Sequence, residues 1–155
     1  MAEPTSARPM RTWDDFVVSS HLAFLPAIVV ALARGVYDAS VLIAVMVYLS
    51  VWYHREAEQN KRIAKIEMCS TYTLFAYGAW QFLHAPGLQI LALEVLCACI
   101  TVSTYVAGFY IYQHKYCYNR WHPIGLHLVP AVWALSVAAF HERLFFTDPV
   151  HARDR

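Results

Sequence analysis

Long runs of apolar residues, almost free of charge, constrain this chain more than any other feature. Five such runs follow one another, and they cover Phe16–Ala33, Val36–Tyr53, Met68–Leu83, Leu88–Tyr112 and Ile124–Phe140, the last with an extension to Phe146 left open. An apolar run of about 17–25 residues can cross the hydrocarbon of a bilayer as a helix, and these runs lie at or just below that length. We therefore predict an all-α fold: a polytopic transmembrane helix bundle of about five spans.

Composition and charge support this class and narrow the partners. Hydrophobic residues make up 59% of the chain and charged residues 15%, which is too apolar for a soluble globular domain. The formal net charge is +1, and no basic stripe follows one face, so nucleic acid is not expected as a partner. Membrane lipids are the expected surroundings and partners.

The charged segments divide the chain and orient it. We predict a disordered cytoplasmic tail over residues 1–15, a bundle over 16–146 and a short C-terminal tail over 147–155. More Lys and Arg residues fall on the side of the N-terminus than on the other side, which places the N-terminus in the cytoplasm of an endomembrane or plasma-membrane protein. Arg8 and Arg11 before the first run also fit a cleaved signal peptide. Asp14, Asp15 and Pro26 favour an uncleaved first span.

Histidines supply the candidate chemistry, because an imidazole inside a bilayer needs a cavity, a metal, a cofactor or a polar partner. Five of the eight histidines gather toward one predicted face: His21, His54, His114, His122 and His127. Of these, His54, His122 and His127 are expected at a similar depth to Glu67. Three imidazoles with a carboxylate or water make an open zinc site that can activate water. These three histidines are the predicted metal ligands, and zinc is the predicted cofactor.

The spacing of these residues makes local predictions. Ser50 and His54 are four apart and share a helix face. Pro123 suits the first position of a helix, which would leave His122 at the helix mouth. Residues five apart diverge by about 140° on a regular helix, so His122 could join His127 only from a non-helical lead-in segment. Pro130 lacks an N–H, so the helix is expected to bend beside His127.

Simpler roles remain open for the same residues. His54 and His122 could be satisfied by water or headgroups, and His127 by a hydrogen bond to a neighbouring span. Ser50 could donate to a carbonyl of its own helix. His21 and His114 are expected at the membrane interface rather than in a site.

Two acidic features are expected to contact polar surroundings. Glu94 lies inside the fourth run, where it could stay protonated or pair with His84 across the short turn before that run. We predict instead that it reaches the headgroups because the fourth helix is long. The charge run Arg55–Glu67 is predicted to be a short solvated helix or a helical extension rather than a site.

Two short motifs and a pair of histidines resemble the CREST superfamily of membrane hydrolases. That group includes alkaline ceramidases, progestin and adipoQ receptors, myomaker and related GPI-lipid phospholipases. Its members place Ser-x-x-x-His at the end of the second span, an Asp at the start of the third, and His-x-x-x-His in the last. Ser50–His54 matches the first element. Ser19–Pro26 and Lys65–Ser70 look similar to the myomaker branch.

The resemblance implies a zinc-dependent hydrolase of lipid amides or esters with its site on the cytoplasmic side. His54, His122 and His127 would hold zinc, and Ser50 and Glu67 would be catalytic. The chain departs from the family in three ways: Ser70 stands where the family has Asp, the terminal histidines are five apart, and five spans replace seven. In another register, Leu128–Ala131 with Leu144–Phe146 resembles the penultimate span of the family, and the last span is then missing.

Two other classes of function stay open. A non-catalytic membrane subunit or interaction protein on a degenerate scaffold would bind partner helices, either in a homo-oligomer or in a membrane complex. A haem-binding bundle could use histidines from facing helices, for instance His54 and His127.

Overall fold

The computed structural model describes residues 10–56, 58–111 and 115–140, and every regular element among them is helical. Five long helices follow one another. They are α1 (Phe16–Ala33), α2 (Tyr37–Arg55), α3 (Lys61–Gln81), α4 (Leu88–Ile111) and α5, which runs through Lys115–Pro123, Ile124–Leu128 and Val129–Phe140. The predicted all-α bundle of about five spans is confirmed.

Three of the five helices are long and apolar enough to cross a membrane. Their membrane-length segments are Phe16–Ala33 in α1, Leu88–Gly108 in α4 and Asn119–Phe140 in α5. Length and composition therefore indicate a multi-pass membrane protein.

The helix boundaries agree with the predicted spans at several places and differ at others. The first run coincides with α1, and α4 begins at the predicted Leu88. The charge run supplies the first turns of α3 from Lys61, as a helical extension. The fifth helix begins at Lys115, so Pro123 lies inside it, and its prediction as a first helical residue is wrong. Residues 1–9, the tail 147–155, the extension to Phe146 and His114 lie outside the described residues.

Local sequence signals explain where the helices begin and turn. Asp15 caps α1 by accepting a hydrogen bond from the Val17 N–H at 2.9 Å, and Asn60 caps α3 in the same way. Both residue types satisfy helix N–H groups that lack an intrahelical partner. Gly35 adopts a φ of 70° between α1 and α2, a left-handed conformation that glycine tolerates best at a helix end.

Helix α5 lies at the centre of the bundle and contacts the four other helices. The main apolar cluster joins α1, α2 and α5 through Phe24, Ala27, Ile43, Met46, Ala131 and Ala134. Trp133 of α5 stacks on Phe82, in the 3₁₀ turn that follows α3, with ring centroids 5.3 Å apart. A Cβ atom on Gly78 would lie 2.8 Å from Trp133. Gly78 therefore leaves the space that this indole occupies.

Glu94 lies inside the bundle, so its predicted contact with headgroups is wrong. Its side chain is fully buried, and one carboxylate oxygen accepts a hydrogen bond from Ser136 Oγ at 3.0 Å. The face of α4 that carries Glu94 packs against α5, where Ser136 provides a polar partner. A buried carboxyl group needs such partners, because burial removes its hydration.

We expect Ser136→Ala to lower the free energy of unfolding by about 1–3 kcal/mol, because it deprives a buried carboxyl oxygen of a hydrogen-bond donor. The measurement is thermal unfolding of the detergent-solubilised protein. Ser103→Ala is the matched control, since Ser103 is exposed on α4. Equal unfolding temperatures for the two variants would contradict the prediction.

Candidate metal centre

Four histidines from three helices meet inside the bundle: His21 on α1, His54 on α2, and His122 and His127 on α5. All four side chains are buried. One nitrogen atom from each of His21, His54 and His127 lies within 4.8 Å of the others. The His122 ring lies beside them, with its centroid 5.1 Å from that of His54 and 4.9 Å from that of His127. We call these four residues the histidine cluster.

His21 joins the cluster because the start of α1 turns it inward. A 3₁₀ turn over Ser20–Phe24 directs both Ser20 and His21 into the protein, and the prediction that His21 lies at the interface is wrong. The segment before α1 covers this end of the bundle, since the Arg11 N–H donates to the Arg55 carbonyl at 2.9 Å. The sequence feature that could have indicated a buried His21 is the pair of polar residues Ser20 and His21 inside an apolar run.

A widened turn in α5 brings His122 and His127 to one face. Ile124–Leu128 form a π-helical turn, and the Val129 N–H donates to the Ile124 carbonyl, five residues back. Such a turn places residues five apart above one another, whereas a regular α-helix would separate them. The prediction that His122 reaches His127 from a non-helical segment is therefore wrong, because a π-helical turn inside the helix brings the two residues together.

Backbone carbonyl and carboxylate groups fix two of the imidazole rings. His21 Nδ1 lies 3.0 Å from the Val18 carbonyl oxygen, and His54 Nδ1 lies 3.0 Å from Glu58 Oε1. Both oxygens only accept hydrogen bonds, so Nδ1 carries the hydrogen in each ring. The lone pair of each neutral ring is then on Nε2. His21 Nε2 is buried and makes no hydrogen bond to any residue that the structure describes.

A hydroxyl group contacts the Nδ1 atom of His127. His127 Nδ1 lies 2.6 Å from Ser20 Oγ, and the Ser20 hydroxyl donates its hydrogen to the Val17 carbonyl at 3.2 Å. With its hydrogen on that carbonyl, the hydroxyl oxygen accepts from Nδ1, and the lone pair of His127 is then on Nε2. Metal-binding histidines commonly have this arrangement, in which one ring nitrogen donates to an oxygen while the other binds the ion.

The donor set fits a metal ion. Three buried imidazoles with close nitrogen atoms can bind a transition metal, and imidazole suits zinc, copper, iron and nickel alike. The buried Nε2 of His21 is the type of polar atom that a bound ion would satisfy. The structure therefore assigns the triad of His21, His54 and His127 the capacity to hold a metal ion.

The two predicted catalytic residues contact each other next to the cluster. The buried Ser50 hydroxyl donates to Glu67 Oε1 at 2.6 Å, and Thr71 Oγ1 donates to the same oxygen at 3.1 Å. Ser50 thus bonds to a side chain of α3 rather than to a carbonyl of its own helix. Ser70 donates to the Glu67 carbonyl at 2.8 Å. Glu67 therefore supplies a carboxylate next to the histidine cluster.

A cavity of about 450 Å³ extends from the cluster between α2, α3, α4 and α5. The polar side chains that line it include Ser50, His54, Glu67, Thr71, His122 and His127. Apolar residues form most of the remaining wall, including Phe24, Ile43, Met46, Phe75, Trp133 and Val137. The cavity is therefore suited to a ligand with a polar group and a long apolar part.

No family model, curated protein or solved structure matches this chain. Of the predicted metal ligands, the structure places His54 and His127 in the triad and His122 next to it. It also places Ser50 and Glu67 together on the cavity wall. His21 is a ligand candidate that we had predicted at the membrane interface.

Proposed function

We propose that this protein is a zinc-dependent membrane hydrolase that cleaves an amide or ester bond of a lipid. One observation carries the proposal: a buried histidine triad adjoins an apolar cavity whose wall holds the hydrogen-bonded pair of Ser50 and Glu67. The resemblance to the CREST motif at Ser50–His54 supports the same chemistry.

The metal would be held by Nε2 of His21, His54 and His127, because Nδ1 of each ring is engaged with an oxygen. Three protein ligands leave a fourth position open, which is the arrangement of catalytic zinc sites. When bound, zinc supplies a Lewis acid and activates water for attack. His122 lies beside the triad and supports it by packing its ring against His54 and His127.

The chain's own residues would hold the proton and the substrate. Glu67 is the proton acceptor, and the Ser50 and Thr71 hydroxyls orient its carboxylate through two hydrogen bonds. General bases of this kind contribute when they lie within hydrogen-bonding reach of the proton that they accept. The apolar walls would hold an acyl chain and exclude bulk water, and the cavity volume lies within the range of small-molecule sites.

The substrate would enter from the bilayer. Three helices are long and apolar enough to span a membrane, and a lipid already dissolved there needs no transfer through water. The distribution of basic residues favours a site on the cytoplasmic side of an endomembrane or the plasma membrane.

The first experiment measures metal content and hydrolysis on protein purified in detergent. We expect near-equimolar zinc and cleavage of either an acyl amide or an acyl ester lipid. A chelator should remove the zinc and abolish the cleavage, and added zinc should restore the activity. Zinc-free protein without activity would contradict the proposal and favour the non-catalytic subunit. Strong visible absorbance with bound iron would contradict it in favour of the haem-binding bundle.

A further inference from the structure

Glu58 adopts a backbone conformation that residues with a side chain rarely adopt. Its φ is 63°, in the left-handed region, and it follows the end of α2 in the connection to α3. Its N–H donates to the Tyr53 carbonyl at 3.1 Å, a hydrogen bond of a helix end. Glycine fills such positions most often, because it has no Cβ to clash. The presence of glutamate here therefore calls for a role of its side chain.

The carboxylate of Glu58 contacts the histidine cluster. Glu58 Oε1 lies 3.0 Å from His54 Nδ1 and 3.6 Å from Arg11 Nη2, and 19% of the side chain is exposed. Arg11 is itself fixed by Asp15, at 3.0 Å, and by its backbone bond to Arg55. One carboxylate thus joins the segment before α1 to the imidazole at the end of α2.

We propose that Glu58 is a positioning residue of the metal centre, and this inference rests on the proposed function. Its carboxylate holds the hydrogen on His54 Nδ1 and orients the ring so that Nε2 points to the metal. A carboxylate bound to the outer nitrogen of a ligand histidine raises the basicity of the ring, and its loss typically lowers metal affinity 10–100-fold. Strained backbone conformations of this kind cluster at functional sites.

The decisive variant is Glu58→Gly, because it removes the carboxylate without adding backbone strain. Glycine relaxes the left-handed backbone and keeps the N–H bond to Tyr53, which offsets the stability lost with the contacts to His54 and Arg11. The metal-free variant should therefore unfold at a temperature close to that of the wild type. Its zinc affinity should fall about 10–100-fold. Glu58→Gln keeps an oxygen that can accept from His54, so it should recover part of the lost affinity.

Glu56→Gln is the matched control. Glu56 lies in the same connection, but its carboxylate accepts a hydrogen bond from Trp52 Nε1 at 2.6 Å rather than from the cluster. This variant should bind zinc as the wild type does. Zinc affinity is measured by competition with a chelating dye, and stability by thermal unfolding of the metal-free protein.

The outcomes distinguish the inference from the proposed function. If the wild type binds zinc and Glu58→Gly binds it equally well, Glu58 serves only the helix end and the inference is wrong. If Glu58→Gly loses stability and affinity in parallel, its role is structural and the inference is again wrong. If the wild type binds no zinc, the proposed function fails and the inference fails with it.

Discussion

His127→Ala is expected to abolish zinc binding and hydrolysis together. The His127 ring lies in the middle of the cluster, with its centroid 3.9 Å from that of His21, 5.3 Å from that of His54 and 4.9 Å from that of His122. Removal of a ligand should reduce zinc affinity by more than the 10–100-fold that is typical of outer-shell changes. Near-equimolar zinc should fall to traces, as measured by elemental analysis, and activity should fall with it.

The other three histidines test which of them are ligands. His54→Ala and His21→Ala should also lose zinc, since their nitrogen atoms complete the triad. His122→Ala should retain zinc with weaker affinity, because its ring packs beside the triad. His84→Ala is the control, since His84 is exposed at the end of the segment that follows α3.

One pattern would contradict this assignment directly. If His122→Ala lost zinc and His21→Ala kept it, the ligands would be His54, His122 and His127, the set that the resemblance implies. Thermal unfolding of each metal-free variant shows whether the fold survives. A variant that is folded and free of zinc identifies a ligand.

Most of the fold could be predicted from the sequence because apolar runs and their charged breaks mark helices directly. The first run coincides with α1, and the fourth begins at the same residue as α4. The start of α5 was missed because Lys115–Pro123 is polar and ends in proline. Its helical structure depends on contacts with α1 and α4, which no local pattern records.

The candidate site was predicted in part, and the missing parts depend on tertiary contacts. His54 and His127 could be selected because an imidazole in an apolar run needs a partner. His21 was assigned to the interface because an imidazole near the end of a span is readily solvated there. Its burial depends on the contacts of the Ser20–Phe24 turn with α2 and α5. Such contacts join residues far apart in sequence.

The π-helical turn shows which sequence signals can be read and which cannot. The spacing of His122 and His127 indicated that a regular helix would not bring them together, and Pro130 indicated a local irregularity. Pro130 cannot donate to the Leu126 carbonyl, so the hydrogen-bond register of an α-helix is already interrupted there. The π-helical form of the irregularity, and the close contact of this turn with α4, are seen only in the structure.

Gly125→Ala is expected to disrupt that contact and to destabilise the bundle. Gly125 lies in the π-helical turn, and a Cβ built on it would lie 2.6 Å from Cβ of Thr104 on α4, and closer to the Thr104 hydroxyl and methyl groups. Rotation of the Thr104 side chain cannot move its Cβ, so the two helices must separate. Overpacking of this kind lowers the free energy of unfolding by about 1–3 kcal/mol, and sometimes more.

A loss of metal should accompany this loss of stability, because Gly125 lies between His122 and His127 in the same turn. Gly87→Ala is the matched control, since a Cβ there meets no atom within 4 Å. Adding Thr104→Gly to Gly125→Ala removes the clashing Cβ, so the double variant should recover unfolding temperature and zinc affinity relative to Gly125→Ala alone. If Gly125→Ala behaves like Gly87→Ala in both measurements, helices α4 and α5 do not approach each other as the structure shows. If stability recovers in the double variant but zinc affinity does not, the turn itself requires glycine to align the two histidines.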